Sequence, residues 1–515
     1  MYKHILWVLC VIGWWPVNGQ HINWQNFDKS AFQQAMQQNK PLLLDLGASW
    51  CHWCHVMDDS TYENPTIVQY INDYYIPTRA NQDKRPDLYA KYKDYGWPAT
   101  IIFSPEGNEV YKEAGYISPE TFLPILQTQL HSSPITNTIN NSPINYQAWT
   151  PAVKKYILDN FYYYLDTTLG AYDMSQKYIE YDGIDYAMYA APTNKILARW
   201  LQTSITQSFN LNDTAWGGVY QYSTNRDWQH PHYEKLLGIQ ARYLKMYARY
   251  YALKKDASTL ARLNQINSYL QTFLASPNGL YYNSQDADLI AGQHAAAFFT
   301  SSSAERLHQG IPRIDSACYA KENAQLAEAF LYSWAATGDT SYLQKAKKIL
   351  TTLTTVYNAP NGGVYHDLQH TNLPLALGDQ LYFANALLLY YQASGDTGAL
   401  HKSVALAQWM QTHLLAPPGG LESYERANAV LPPGIVMAEN IDACRFFNRL
   451  SYNSDKSFKS TAQQIFRYLT QPSLLKHIIA EPGLLLAQVE LSSAPTLVKT
   501  NRLVFIQWHD YAMEQ

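Results

Sequence analysis

Leu43-Leu44-Asp45-Leu46-Gly47-Ala48-Ser49-Trp50-Cys51-His52-Trp53-Cys54-His55 decides how the N-terminal part of this chain is read. Leu43 to Leu46 read as a buried strand, Gly47 to Ser49 as a small-residue turn, and Cys51 as the start of a helix. A Cys-x-x-Cys beside a strand-to-helix turn is a redox signal. A thiolate at the positive end of a helix dipole is stabilised and its pKa falls. With His52 and His55 adding positive charge nearby, Cys51 is expected to be exposed and to titrate in the range of about 3.5–7.5. Cys51 then attacks and Cys54 resolves. Two Cys and two His within one helical turn cannot all wrap a single ion, so no metal is expected.

Working outward, Phe27, Ala31 and Ala35 repeat at helical spacing before the Lys40-Pro41 break. After the cysteines come a helix through Met57, another from Pro65, and a strand over 76–79. Gly96-Trp97-Pro98 leads into an apolar strand, Pro105-Glu106-Gly107 turns it back, and a helix runs from Pro119 to Leu130. This is a mixed α/β unit closed by a hairpin and a helix.

These residues resemble a thioredoxin. Asp45 stands where thioredoxins carry a buried acid, and Pro98 where they carry a cis-proline facing the disulfide. More narrowly, Cys-His-Trp-Cys-His-Val-Met, Asp-Lys-Arg-Pro-Asp at 83–87 and Gly-Trp-Pro at 96–98 resemble the spermatogenesis-associated thioredoxin-domain family. That likeness implies a helical toroid after the redox domain. It also implies that Asp45 serves as base toward Cys54, that Pro98 shapes the partner groove, and that Trp50 and Trp53 shield the disulfide.

At 515 residues the chain exceeds one ordinary core, and 47% hydrophobic against 16% charged residues describes a packed globule. A net charge of −4 without basic runs excludes a nucleic-acid partner. The 42 tyrosines offer apolar faces with polar tips, suited to lining a groove, although a compositional habit explains them equally. Residues 1–19 combine a short basic start with the apolar run Ile5 to Trp15, and Val17 and Gly19 precede a cut before Gln20. The run is shorter than the ~20 residues of a membrane span. The expectation is an exported protein, periplasmic or secreted, with no stable span after cleavage. Of the remaining cysteines, Cys318 and Cys444 read as inert packing.

Residues 20–130 thus form the thioredoxin-like domain, and the polar, Pro/Asn/Ser-rich stretch 131–150 is a linker. From 151 to 515 the chain repeats itself. Asp256, Asp339 and Asp396 precede Gly279, Gly362 and Gly419 by one interval, with apolar residues at helical spacing between, and Gly217-Gly218-Val219-Tyr220 reads as an earlier copy. Such self-similarity means stacked helix pairs. Glycine-aromatic turns between the pairs resemble the (α/α)6 toroids of the N-acylglucosamine and cellobiose epimerases, and the ring is preferred to an open solenoid on that likeness. The fold class is an α/β thioredoxin-like domain followed by an all-α (α/α)6 toroid.

In the toroid the densest polar stretch, Tyr222 to Lys235, resembles a family motif, and by that likeness His230, His232 and Glu234 face the cavity. Asp286 and Asp288 match the family's Asp-Ala-Asp. A His with a carboxylate moves protons, and paired carboxylates suit a glycosidic bond. Capping of the next helix is the plainer role for each Asp. The leading expectation is an exported thiol–disulfide oxidoreductase, without cofactor beyond its own Cys51–Cys54 pair, whose toroid selects or presents a protein thiol or disulfide partner. The alternative is a carbohydrate-active or sugar-binding toroid with an accessory redox domain, holding a saccharide in the cavity.

Overall fold

The computed structural model describes residues 21–130, 149–417, 419–493, 495–499 and 504–507. The expected export signal and residues 131–148 of the expected linker lie outside the described residues. Among the described residues, no helix is long and apolar enough to cross a membrane.

The first domain is built on the apolar strand quoted above. β1 (Gln25–Asn26), β2 (Leu42–Gly47), β3 (Ile76–Asn81), β4 (Ala99–Phe103) and β5 (Glu109–Ala114) form one sheet in the order β1-β3-β2-β4-β5. β2 runs parallel to β3 and antiparallel to β4. Successive side chains of a strand point to opposite faces. Leu42, Leu44 and Leu46 therefore pack with Phe27, Ala31 and Phe103 on one side. Leu43 packs with Ile67, Val68, Ile71 and Phe122 on the other. The helices are α1 (Lys29–Gln38), α2 (His52–Ser60), α3 (Pro65–Tyr74), α4 (Pro86–Tyr92) and α5 (Pro119–Gln129). α4 and the edge strand β1 are additions to the sequence reading; both are too short to show a period.

The second domain alternates outer and inner helices. In chain order these are α6 (Pro151–Tyr164), α7 (Tyr181–Ala190), α8 (Lys195–Ser208), α9 (Leu237–Lys254) and α10 (Ala257–Tyr269). Two short helices, α11 (Ala296–Thr300) and α12 (Ser303–Gln309), interrupt the pattern. Then follow α13 (Ala320–Thr337), α14 (Thr340–Val356), α15 (Leu377–Ser394), α16 (Thr397–His413), α17 (Met437–Ser451), α18 (Phe458–Leu469), the short α19 (Pro472–Leu475) and α20 (Gly483–Ser492). The inner helices touch in the order α7-α9-α13-α15-α17-α20, and α20 returns to α7. That closure makes the repeat a ring and excludes an open solenoid.

The repeat has a local cause. Asp256, Asp339 and Asp396 are the N-caps of α10, α14 and α16, each accepting a backbone N–H of the first turn. Gly279, Gly362 and Gly419 then take φ of +90°, +91° and +112°, values that favour glycine, to turn the chain back. A side-chain amide on the next inner helix braces each turn through both its N–H and its C=O. Gln240 holds Val219, Asn323 holds Tyr281, Gln380 holds Val364 and Asn440 holds Leu421.

On the ring's mouth, Lys235–Leu236, Ser284–Gln285 and Ile314–Asp315 pair as a three-stranded ribbon. Lys235 is buried beneath it, donating to Asp213 and the Gly217 carbonyl at 2.6 and 2.8 Å. The thioredoxin-like domain sits on this ribbon.

Candidate active site at the domain junction

Cys51 is the N-cap of α2, and its Sγ accepts the Cys54 N–H at 3.3 Å. The two cysteines are joined as a disulfide. Gly47 ends β2 so close to the pair that a Cβ there would lie 3.2 Å from the Cys54 sulfur. The Trp97–Pro98 peptide is cis, and Trp97 packs against the disulfide together with Ala48, Trp50 and the toroid's Leu236. The expectation of an exposed Cys51 is therefore corrected: only 3% of its surface is open, because the toroid's ribbon closes over it.

The redox loop is fastened to the toroid at every turn. Ser49 Oγ donates to Asp315 at 3.0 Å. The Trp50 indole donates to Asp83 at 2.7 Å, and the toroid's Asn283 donates to the same carboxylate oxygen at 3.1 Å. His366 on the ring donates from Nε2 to the Asp83 carbonyl at 2.7 Å, while its Nδ1 meets Asp379. Burial would lower the His366 pKa, but Asp379 outweighs it and lifts the ring to about 9. Burial raises the Asp83 pKa to about 7, aided by the charges of Asp315 and Glu322 and opposed by the Trp50 and Asn283 hydrogen bonds.

The two histidines of the motif point at the two toroid aspartates. His52 Nδ1 lies 2.8 and 3.0 Å from the oxygens of Asp288, and His55 Nε2 lies 3.0 Å from Asp286. Burial disfavours the charged His55 ring, yet Asp286 and Asp288 hold its pKa above the ordinary value. This corrects two expectations. The histidines are not free to serve Cys51, since Asp288 and Asp286 engage the rings of His52 and His55. Asp286 and Asp288 do not stand free on a saccharide-lined wall, since they are occupied by the redox loop.

Asp45 is buried on β2 but not alone: Arg79 Nε donates to it at 2.7 Å, and Arg79 also meets Asp58. Burial raises the Asp45 pKa, Arg79 pulls it back, and the balance lies at about 6. Trp50 lies beside the disulfide, whereas Trp53 is 40% exposed and stacks on Tyr116, so it does not shield the sulfurs. His232 pairs with the fully buried Glu234 and stacks on Tyr222. His230 is exposed and pairs with Asp227, so it does not line a cavity. Cys318 and Cys444 are free thiols, both with raised pKa from burial.

Sequence reasoning left Asp83, Asn283, His294 and His366 without a role. Asp83 stood inside the quoted Asp-Lys-Arg-Pro-Asp, which was a usable signal. The others carry no local pattern.

Inside the ring, the inner helices present a polar wall. Arg242 lies over the Tyr181 ring at 5.3 Å, Tyr382 donates to Asp442 at 2.7 Å, and Lys321 donates to Glu439 at 3.3 Å. Tyr89 of α4 reaches this wall, its ring 5.0 Å from Lys321 Nζ.

Residues 17–132 match the family model Thioredox_DsbH, described as a protein of unknown function, DUF255. Over 315 residues the chain is 25% identical to spermatogenesis-associated protein 20 of Mus musculus, covering 52% of this chain and 39% of that protein. The chain is a homologue of that protein. It spans about two fifths of the length of the curated relatives it matches. The thiol:disulfide interchange protein DsbD of Campylobacter jejuni is 30% identical over 102 residues, 19% of this chain and 18% of that one. The toroid is similar in fold to a D-mannose isomerase, with a TM-score of 0.50, 14% identity, and coverage of 62% of this chain and 87% of the other. The chain is thus a thioredoxin-like domain followed by a helical toroid.

Proposed function

We propose that this chain is an exported thiol–disulfide oxidoreductase, periplasmic or secreted, whose toroid decides which partner reaches Cys51. One observation carries the reading: a Cys51–Cys54 pair at a helix start, with Trp97 packed against it, is roofed by the toroid's own Leu236. In the reducing direction the Cys51 thiolate attacks one sulfur of a partner disulfide and releases the other as thiolate. Cys54 then attacks Cys51 Sγ, passing its proton to Asp45, and the second partner sulfur leaves. Two electrons move to the partner and the Cys51–Cys54 bond forms. The same steps reversed oxidise a dithiol, and the partner's potential sets the direction. Cover by the toroid restricts entry to partners that fit the ribbon's edge.

Replacing Cys54 by Ala removes the resolving thiol, so the expected result is a partner trapped on Cys51 as a mixed disulfide. The reading fails if no Cys51-linked species forms and the purified wild type neither reduces nor oxidises a model disulfide.

The polar wall of Arg242, Tyr181, Tyr382 and Asp442 favours a second reading, in which the ring holds a saccharide. Tyrosine faces with charged hydrogen-bonding groups suit sugar hydroxyls and ring C–H groups. Calorimetry against a saccharide panel checks it: binding by the wild type and loss in Arg242→Ala support it, and no heat with either protein rejects it.

A further inference from the structure

Four imidazoles converge on two buried carboxylates at the domain junction. Asp286 and Asp288 are 4% and 3% exposed. His52 and His55 contact them directly, and the His294 ring lies 4.0 Å from the His52 ring. His232 stands within the field of Asp288 and is paired with Glu234, whose fully buried Oε1 has no partner among the described residues. These groups come from α2, the stretch before the ribbon, and the loop after Ser284–Gln285. Hydrogen bonding alone accounts for fastening two domains, but it does not require two carboxylates two residues apart facing the same imidazole.

We propose that His55, Asp286 and Asp288 bind one divalent transition-metal ion of the zinc type, bridging the redox helix to the toroid. One donor atom from each of the three, all lying within 4.8 Å of one another, can meet a single ion. Zinc takes imidazole nitrogen and carboxylate oxygen at about 2.0–2.2 Å, so ligand atoms spaced by about 3–4 Å fit with a small closing of the set. The ligands are already oriented from behind, as metal ligands generally are. The Asp288 N–H donates to Asp286 Oδ1 at 3.0 Å, the Gly292 N–H to Asp288 Oδ2 at 2.9 Å, and His52 Nδ1 meets both Asp288 oxygens at 2.8 and 3.0 Å. Gly292, at φ +75°, lets this loop lie on α2 so closely that a Cβ would meet Asp59 at 2.5 Å. The imidazole and the small donor number favour a zinc-type ion over magnesium or calcium, which prefer more oxygens and retained water. The single-turn argument against a metal still stands for the Cys-x-x-Cys itself; the proposed set takes only His55 from that turn.

The test uses the full chain without an affinity tag, stripped with a chelator and kept in the disulfide form, so that Cys51 and Cys54 offer no thiolate. Zinc chloride is titrated against a competing indicator, and cobalt is substituted for the spectrum. The expected result is one zinc per chain, a cobalt spectrum without a thiolate charge-transfer band, and no competition by magnesium. His55→Gln and Asp286→Asn should each weaken binding at least about tenfold. If Asp286→Asn does not fold, His55→Gln and the wild-type stoichiometry decide alone. No zinc on the oxidised wild type, equal affinity in wild type and His55→Gln, or equal binding of magnesium would overturn the proposal. Because the readout is binding to the oxidised chain, failure here is separate from failure of the redox reading.

Discussion

Asp83 is the joint between the two domains, and replacing it by Asn should strengthen that joint above neutral pH. Its carboxylate accepts from Trp50 and from Asn283, while burial and the charges of Asp315 and Glu322 raise its pKa from 3.8 to about 7. A carboxyl whose folded pKa lies above its unfolded one binds an extra proton in the folded state across that interval. Stability conferred by the proton is therefore full below about pH 4 and lost as pH rises through 7. A rise of about three units corresponds to a ceiling of about 4 kcal/mol, which local relaxation and water reduce, so a gain of about 1–3 kcal/mol is expected. An Asn oxygen still accepts from both donors, and Gln82 can rotate its amide to suit the new NH2. Thermal or urea unfolding of wild type and Asp83→Asn at several pH values from 4 to 8 reads this. The difference in stability should grow from pH 4 to 7 and then level off. Parallel profiles, or a variant less stable than wild type at pH 8, would refute the electrostatic account of the junction.

Two further outcomes follow from the same geometry. His366, raised to about 9 by Asp379, follows the same sign at higher pH: its contribution is full below the ordinary histidine value near 6.5 and is lost as pH climbs to 9. It amounts to at most about 3 kcal/mol, and His366→Ala should flatten the alkaline limb of the unfolding profile. Gln380, fully buried, satisfies both the N–H and the C=O of Val364 at 2.7 Å. Gln380→Leu leaves both unpaired and should cost about 2–5 kcal/mol in urea unfolding; a loss near zero would show that the amide clamps do not hold the turns.

Much of the fold was legible because its causes are local. An Asp that caps a helix, a glycine that must reverse the chain, and an apolar stripe between them recur at one interval, so the helix pairs could be read from Asp256, Asp339 and Asp396 onward. The near-continuous apolar run Leu42 to Leu46 likewise announces a strand with two covered faces, and the small residues after it announce the turn into Cys51. The amide clamps keep the same repeat, Gln240, Asn323 and Gln380 each standing one common interval before Asp256, Asp339 and Asp396, but the alternation of Gln with Asn hides it and nothing local says which backbone group each amide meets.

The sequence by itself determined a redox pair at the start of a helix, a thioredoxin-like sheet around it, and a helical repeat behind it. These follow from interactions within a few residues, where period and side-chain type carry the information. Only the tertiary structure decided that the repeat closes into a ring, that Cys51 lies under the toroid's ribbon, and that His52 meets Asp288 across 236 residues of chain. Such pairings depend on which surfaces the two finished domains bring together, and no local pattern encodes that meeting. The histidines that looked like tuning groups for Cys51 became, once folded, the bond between the two halves of the molecule.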